Sequence, residues 1–259
     1  MRILFVGDVV GKPGRNAVNG LLGRLRKEHR ADAVVVNCEN AAGGRGVTPE
    51  IADDLLQVGA DVLTGGNHVW QYREIGDYME REPRLVRPAN YPKAPGWGSF
   101  KLELPYGGTL GVVQVEGRVF MRNLDCPFAA AQREIDRLGP TTASIVDIHA
   151  EATSEKQALG YFLDGRVSAV VGTHTHVQTA DERILPGGTA FVTDVGMTGP
   201  YDSVIGMRSD AAIRRFLTQR TAGHHVATDD VRLCAVLVET DDESRAATAI
   251  TRIQEPWSG

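Results

Sequence analysis

Arg2-Ile3-Leu4-Phe5-Val6-Gly7-Asp8 opens the chain with a short apolar run that ends on a carboxylate. A near-continuous apolar run of this length predicts a strand buried on both faces. Val18, Leu21, Leu22 and Leu25 follow it as a helical stripe. Ala33-Val34-Val35-Val36-Asn37 repeats the strand pattern, and Thr48 then caps a helix with Pro49 at its first position and Glu50 in its first turn. Asp61-Val62-Leu63-Thr64 is a third strand. This alternation of strand and helix predicts parallel pairing with helices on the faces of the sheet.

Farther along, residues 86–108 are rich in Pro and Gly and read as irregular connection. Strands are predicted at 110–115, 144–148 and 168–171, and helices at 128–138 and near 155–163. Segments 190–193, 231–239 and 246–253 read as strands without helices between them. The expected class is α/β, either as one mixed sheet or as two sheets packed face to face and flanked by helices. No repeat, low-complexity tract or linker interrupts the pattern, so residues 1–259 are expected to form one domain.

Hydrophobic residues make up 42% of the 259 and charged residues 24%, which excludes a wholly disordered chain. No apolar run approaches the ~20 residues of a membrane span, and the apolar start is too short for a secretory signal. Lys and Arg number 28 against 33 Asp and Glu, a net charge of −5. That balance argues against a long nucleic-acid partner. It leaves room for a small anion, because a bound metal supplies positive charge locally. Cys38, Cys126 and Cys234 form no CxxC pair and are expected to be reduced thiols of a cytoplasmic protein.

The polar residues are the informative ones. The early strands run into Gly7-Asp8, Asn37-Cys38-Glu39-Asn40 and Gly65-Gly66-Asn67-His68. Later ones run into Asp147-Ile148-His149-Ala150-Glu151 and Gly172-Thr173-His174-Thr175-His176. Carboxyl ends of parallel strands share one sheet edge, where ligands bind. Each cluster has an ordinary alternative when taken singly: Asp8 as a turn or helix cap, Glu39-Asn40 as a loop, Asn67-His68 as a turn, His149 as a satisfied core histidine. The His174-Thr175-His176 pair says more, since alternation along an extended segment turns both rings to one side. Together, five coincidences at five strand ends favour a site.

Carboxylate, amide and imidazole donors without thiolate suit manganese, iron or zinc. Asp8, Glu39, Asn40, Asn67, His149, His174 and His176 are too many for one ion and suit two, with Glu39 as the bridge. Other features read as bland. His29 lies near a helix end, His224-His225 in a solvated loop, and Cys38 faces the core. Residues 7–12 only imitate a phosphate loop: Lys12 comes one residue early and Pro13 replaces the required Ser or Thr. Gly43-Gly44-Arg45-Gly46 is not a dinucleotide fingerprint, although Arg45 could contact phosphate.

In order and spacing these blocks resemble those of the calcineurin-like metallophosphoesterase superfamily. The opening Gly7-Asp8-Val9-Val10-Gly11-Lys12-Pro13-Gly14-Arg15 and the later Asp194-Val195-Gly196-Met197-Thr198-Gly199-Pro200-Tyr201 are similar to its bacterial YmdB-like branch, which hydrolyses cyclic nucleotides such as 2′,3′-cyclic AMP. The likeness runs from residue 1 to about residue 210. Two departures from the superfamily stand out: Val10 replaces the histidine of the first block, and Glu39 replaces the usual bridging aspartate.

The resemblance implies a four-layer α-β-β-α sandwich of two mixed sheets. It implies two transition metals, iron or manganese foremost and zinc third. Asp8, Glu39, Asn40 and His176 would hold the first metal, and Glu39, Asn67, His149 and His174 the second. The expected chemistry is hydrolysis of a small phosphodiester by a hydroxide held between the metals, with His68 protonating the leaving sugar oxygen. No membrane partner is expected, and a homo-oligomer is implied by resemblance alone. A nucleotidase, a protein phosphatase, an RNA-acting nuclease and a nucleotide-sensing regulator are the alternatives. Residues 196–199 read either as room for a base or ribose or as a tight turn.

Overall fold

The first strand, β1 (Arg2–Val6), is apolar from Ile3 onward because both of its faces are covered there. Ile3 and Phe5 belong to one buried cluster, Leu4 and Val6 to another. That is the period-2 alternation of a strand placed between two cores. The same split divides Val35 from Val34 and Val36 on the next strand.

The computed structural model describes residues 1–220, 223 and 225–259. His224 therefore lies outside the described residues. After β1 come α1 (Gly11–Glu28), β2 (Ala33–Asn37), α2 (Pro49–Val58), β3 (Val62–Thr64), α3 (Ile75–Arg81) and β4 (Leu85–Val86). A second run follows with β5 (Ser99–Glu103), β6 (Thr109–Glu116), α4 (Pro127–Leu138), β7 (Ala143–His149), α5 (Thr153–Phe162) and β8 (Ala169–Thr173). The chain ends with β9 (Arg183–Ile184), β10 (Ala190–Val192), β11 (Gly199–Pro200), α6 (Ser209–Thr218), β12 (Val231–Thr240) and β13 (Ala247–Pro256).

The first sheet has seven strands. Its order is β11-β12-β1-β2-β3-β4, with β13 also paired to β12. β1, β2, β3 and β4 run parallel, whereas β12 is antiparallel to β1 and β13. The second sheet has the order β5-β6-β7-β8-β10-β9 and is parallel except at its edges. Three apolar layers follow. The apolar faces of α1, α2 and α3 cover the outside of the first sheet, and those of α4 and α5 cover the outside of the second. Between the sheets, Phe5 and Val35 meet residues such as Ile145 and Val171. The architecture is the four-layer sandwich of two mixed sheets flanked by helices.

Local signals explain the elements that position the site. Thr48 Oγ1 accepts from the Ile51 N–H, and Pro49 opens α2 at the position where its missing N–H costs nothing. His29 caps the C-terminus of α1, its N–H bonded to the Leu25 carbonyl. Three expectations need correction. Residues 86–108 are not wholly irregular: β5 lies there as an edge strand, with Phe100 and Leu102 packed toward the inter-sheet core. A further helix, α3, stands between β3 and β4, where the sequence pattern predicts none. The last third is not free of helices either, because α6 separates β11 from β12, although it buries no residue. Among the described residues no helix is long and apolar enough to cross a membrane.

Gly7 tests how tightly the first strand end is packed. A Cβ there would lie 2.0 Å from the Gly196 carbonyl oxygen, and backbone cannot give way as a side chain can. Gly7→Ala is expected to cost about 3 kcal/mol in chemical denaturation. Gly23→Ala, on an exposed face of α1 with nothing within 4 Å, should instead stabilise the protein by about 0.5–1 kcal/mol.

Candidate functional site

Five parallel strands end at the site. Asp8 follows β1, Glu39 and Asn40 follow β2, and Asn67 and His68 follow β3. His149 is the last residue of β7, while His174 and His176 follow β8. The first three strands belong to one sheet and the last two to the other, so the site lies where the carboxyl edges of both sheets meet. Asp8, Glu39 and His149 are fully buried, Asn40 and His176 nearly so.

The seven expected donor residues come together in two adjoining groups, with His149 Nδ1 3.9 Å from Asp8 Oδ1 between them. His149 Nε2 lies 3.0 Å from Asn67 Oδ1, 3.1 Å from His174 Nδ1 and 3.6 Å from Glu39 Oε1. His176 Nε2 lies 3.1 Å from Asn40 Nδ2 and 4.0 Å from Asp8 Oδ1. Among the described residues, the acids, imidazoles and thiols alone do not make a ready-formed metal cage of three or more. The expected donor set also includes the amides of Asn40 and Asn67.

Hydrogen bonds behind the rings set their tautomers. The Thr173 hydroxyl donates to Asp147 Oδ1 at 2.8 Å, so it accepts from His149 Nδ1 at 2.9 Å. His176 Nδ1 donates to the Ile205 carbonyl at 2.9 Å, and His174 Nε2 faces Glu151 Oε2 at 3.2 Å. Each histidine thus turns the lone pair of its other nitrogen inward. Those of His149 and His174 then face each other at 3.1 Å, an arrangement that a cation converts from repulsive to attractive. Two buried carboxylate oxygens, Asp8 Oδ1 and Glu39 Oε2, find no hydrogen-bond partner among the described residues. Desolvation of this kind is costly without a cation.

Acidity follows the same logic. Burial, helped by the charge of Asp194, pushes Asp8 up to about 7. Burial pushes Glu39 well above the usual carboxylate range, against the His68 N–H that it accepts. Burial also lowers His149, His174 and His176. The imidazoles are therefore held neutral, the form that binds a metal.

The turn carrying His174 and His176 corrects the alternation argument. Both have positive φ, 93° and 66°, so they reach the site from a strained turn rather than from an extended segment. Asp194 holds that turn: its Oδ2 accepts from the Thr175 N–H at 3.1 Å and the Thr175 hydroxyl at 2.6 Å. Lys156, itself buried, pairs with the same oxygen at 2.8 Å. Sequence reading misses Asp147, Thr173, Lys156 and Asp194 as supports. The available signal is charge or hydroxyl placed within or beside runs that are otherwise apolar.

His68 is half-buried and lines a cleft of about 650 Å³ together with Asn40, His174 and His176. Its Nδ1 lies 2.9 Å from Asn40 Oδ1 and 3.2 Å from Glu39 Oε1. Arg45 borders the same cleft. Cys38 is core, donating to the Thr64 carbonyl at 3.3 Å. Residues 196–199 form a packed turn, with Gly196 at φ 87° against Gln178 and Gly199 within β11.

The profile of the YmdB-like protein family matches residues 4–253. The chain belongs to this family. Among YmdB-like relatives, a Bacillus subtilis protein named 2′,3′-cyclic-nucleotide 2′-phosphodiesterase is 49% identical, over 98% of this chain and 96% of its own. A crystal structure of a hypothetical protein from Thermus thermophilus superposes with a TM-score of 0.93 at 44% identity, covering 99% of both chains. A Mycoplasma pneumoniae structure described as a novel phosphatase gives 0.92 at 33% identity, covering 99% of this chain and 93% of that one.

Two outcomes test this YmdB-like site. A Cβ on Gly66 would lie 2.5 Å from His149 Nε2 and 2.7 Å from Glu39 Cδ. Gly66→Ala should therefore lower bound transition metal, measured by elemental analysis, in protein that still folds by circular dichroism. Lys156→Met leaves Asp194 buried without its cation and should cost about 3–5 kcal/mol in urea unfolding. The double variant Lys156→Met, Asp194→Asn should recover part of that loss.

Proposed function

We propose that this chain is a metal-dependent hydrolase of 2′,3′-cyclic nucleotides that opens the ester at the 2′ oxygen. The reading is carried by one observation: three inward lone pairs, two amides and two partnerless buried carboxylate oxygens gathered at the edge of both sheets. Near-full-length identity to the Bacillus subtilis phosphodiesterase supports the substrate class.

In this reading Asp8, Glu39, Asn40 and His176 hold one metal, and Glu39, Asn67, His149 and His174 the other. Oxygen and nitrogen donors without thiolate favour iron or manganese, with zinc also accommodated. When bound, the two ions neutralise phosphate charge and acidify a water molecule. The protein supplies orientation and a proton. Asn40 Oδ1 and Glu39 Oε1 engage the Nδ1 side of His68 and hold the ring at the cleft lining, where the proposed acid has to stand. One water is consumed: its oxygen bonds to phosphorus, the bond to the 2′ oxygen breaks, and that oxygen takes a proton from His68. The product is a nucleoside 3′-phosphate.

Protein loaded with manganese or iron should convert 2′,3′-cyclic AMP to 3′-AMP, read by phosphorus NMR. Absence of turnover with every metal, or faster hydrolysis of 3′-AMP than of the cyclic ester, would overturn the reading. His68→Ala with metals retained should lose about 10²–10⁴-fold on the cyclic nucleotide. The loss should be smaller on bis(p-nitrophenyl) phosphate, whose leaving group departs without a proton.

A further inference from the structure

The cleft holding His68, His174 and His176 extends onto α6, where its lining changes character. Ala211, Ala212, Arg215, Phe216 and Gln219 line it. The first four, spaced by one, four and five residues, share one face of the helix, and Gln219 follows at its left-handed C-cap. The two alanines leave space, and Phe216 stands one turn farther along as an aromatic wall, 74% exposed. Ile205 and Met207 supply apolar surface from the preceding loop. That loop is tied to the site, because the Ile205 carbonyl accepts from His176 Nδ1. Arg45 and Arg215 lie on the same lining.

A cleft lined by donor side chains from the strand ends and by an aromatic, mostly apolar helix face suits a ligand of two halves. Its volume of about 650 Å³ suits a small molecule rather than a polymer. From this, and resting on the phosphodiesterase reading, we infer that Phe216 is the platform on which the nucleobase stacks while the phosphate occupies the histidine end. Stacking on a ring face accepts any base but favours the larger purine surface, so Phe216 sets a preference for purine over pyrimidine esters. A cyclic phosphate without a base leaves the wall uncovered and is the poorer substrate. Phe216 touches substrate without touching the reacting atoms.

The test compares Phe216→Ala and Phe216→Trp with the parent protein, all metal-loaded, on 2′,3′-cyclic AMP, 2′,3′-cyclic CMP and glycerol 1,2-cyclic phosphate. Phe216→Ala should raise KM for the adenosine ester about tenfold with kcat little changed. The ratio of kcat/KM for that ester to kcat/KM for the glycerol ester should fall by the same factor, and Phe216→Trp should restore it. Leu217→Ala, exposed on α6 and outside the cleft lining, is the control and should leave the ratio unchanged. An equal loss on all three esters, or a variant changed only in molecular mass by light scattering, overturns the inference. Should the parent hydrolyse none of them, the phosphodiesterase reading falls by itself. Calorimetric binding of 3′-AMP then decides Phe216, and an unchanged Kd in Phe216→Ala overturns its role.

Discussion

Asp8 and Glu39 are acids with no exposed surface, each carrying one oxygen that no described group satisfies, and the surrounding architecture keeps them that way. A buried, unpaired carboxylate opposes folding unless an opposite charge arrives. Neighbouring imidazoles could have supplied that charge as protonated rings. They do not, because burial lowers all three and the hydrogen bonds behind the rings turn their lone pairs inward. The centre is rich in electron pairs, and the protons that burial holds on Asp8 and Glu39 are the ones an arriving cation displaces. That combination is unfavourable for a protein alone and favourable for one that takes up cations.

Holding such a centre together requires stiffness from behind. Asp147 provides much of it. Its Oδ2 accepts from the Thr64 hydroxyl at 2.7 Å, Asn37 Nδ2 at 3.0 Å and Gln114 Nε2 at 3.2 Å, and its Oδ1 from Thr173. One carboxylate thus joins β2, β3, β6, β7 and β8 across both sheets. The Lys156–Asp194 pair performs the corresponding task for the strained turn at His174 and His176, where two positive φ values cost about 1–3 kcal/mol each. An apolar pair of similar shape would pack there, but it would not hold the Thr175 N–H and hydroxyl together.

Legibility in the sequence follows burial. Strands covered on both faces, such as β1, β2 and β8, show as nearly unbroken apolar runs, and the polar residues that end them mark the candidate site without any structure. The four-layer arrangement can be named from the dispersed blocks. What stays hidden is half-buried or short. Ile75, Tyr78 and Met79 of α3 have helical spacing, but over seven residues the stripe cannot repeat. β5 alternates Phe100 and Leu102 with Lys101 and Glu103, yet lies among prolines and glycines on a sheet edge. In α6, Ile213, Phe216 and Leu217 follow helical spacing without entering any core. Alternation picks out His174 and His176 for the wrong reason, since it cannot foresee a left-handed turn. Asp147 cannot be assigned at all: a carboxylate inside an apolar strand gives no sign of which strands will converge on it.

The electrostatic balance of the whole chain takes its meaning from this centre. A net charge of −5 disfavours long polyanions, and the two buried acids add a negative focus where a phosphate would have to bind. A protein without cations is thus set against the ligand class that its cleft fits. In the proposed reading, divalent ions at the acids would reverse the local sign while leaving the outer surface acidic. A small anion that reaches the donors then gains attraction confined to one point, whereas a long strand still meets repulsion along its length. On the proposed reading, selectivity for a small phosphate ester over a nucleic-acid chain would follow from placing the positive charge inside the fold rather than over its surface.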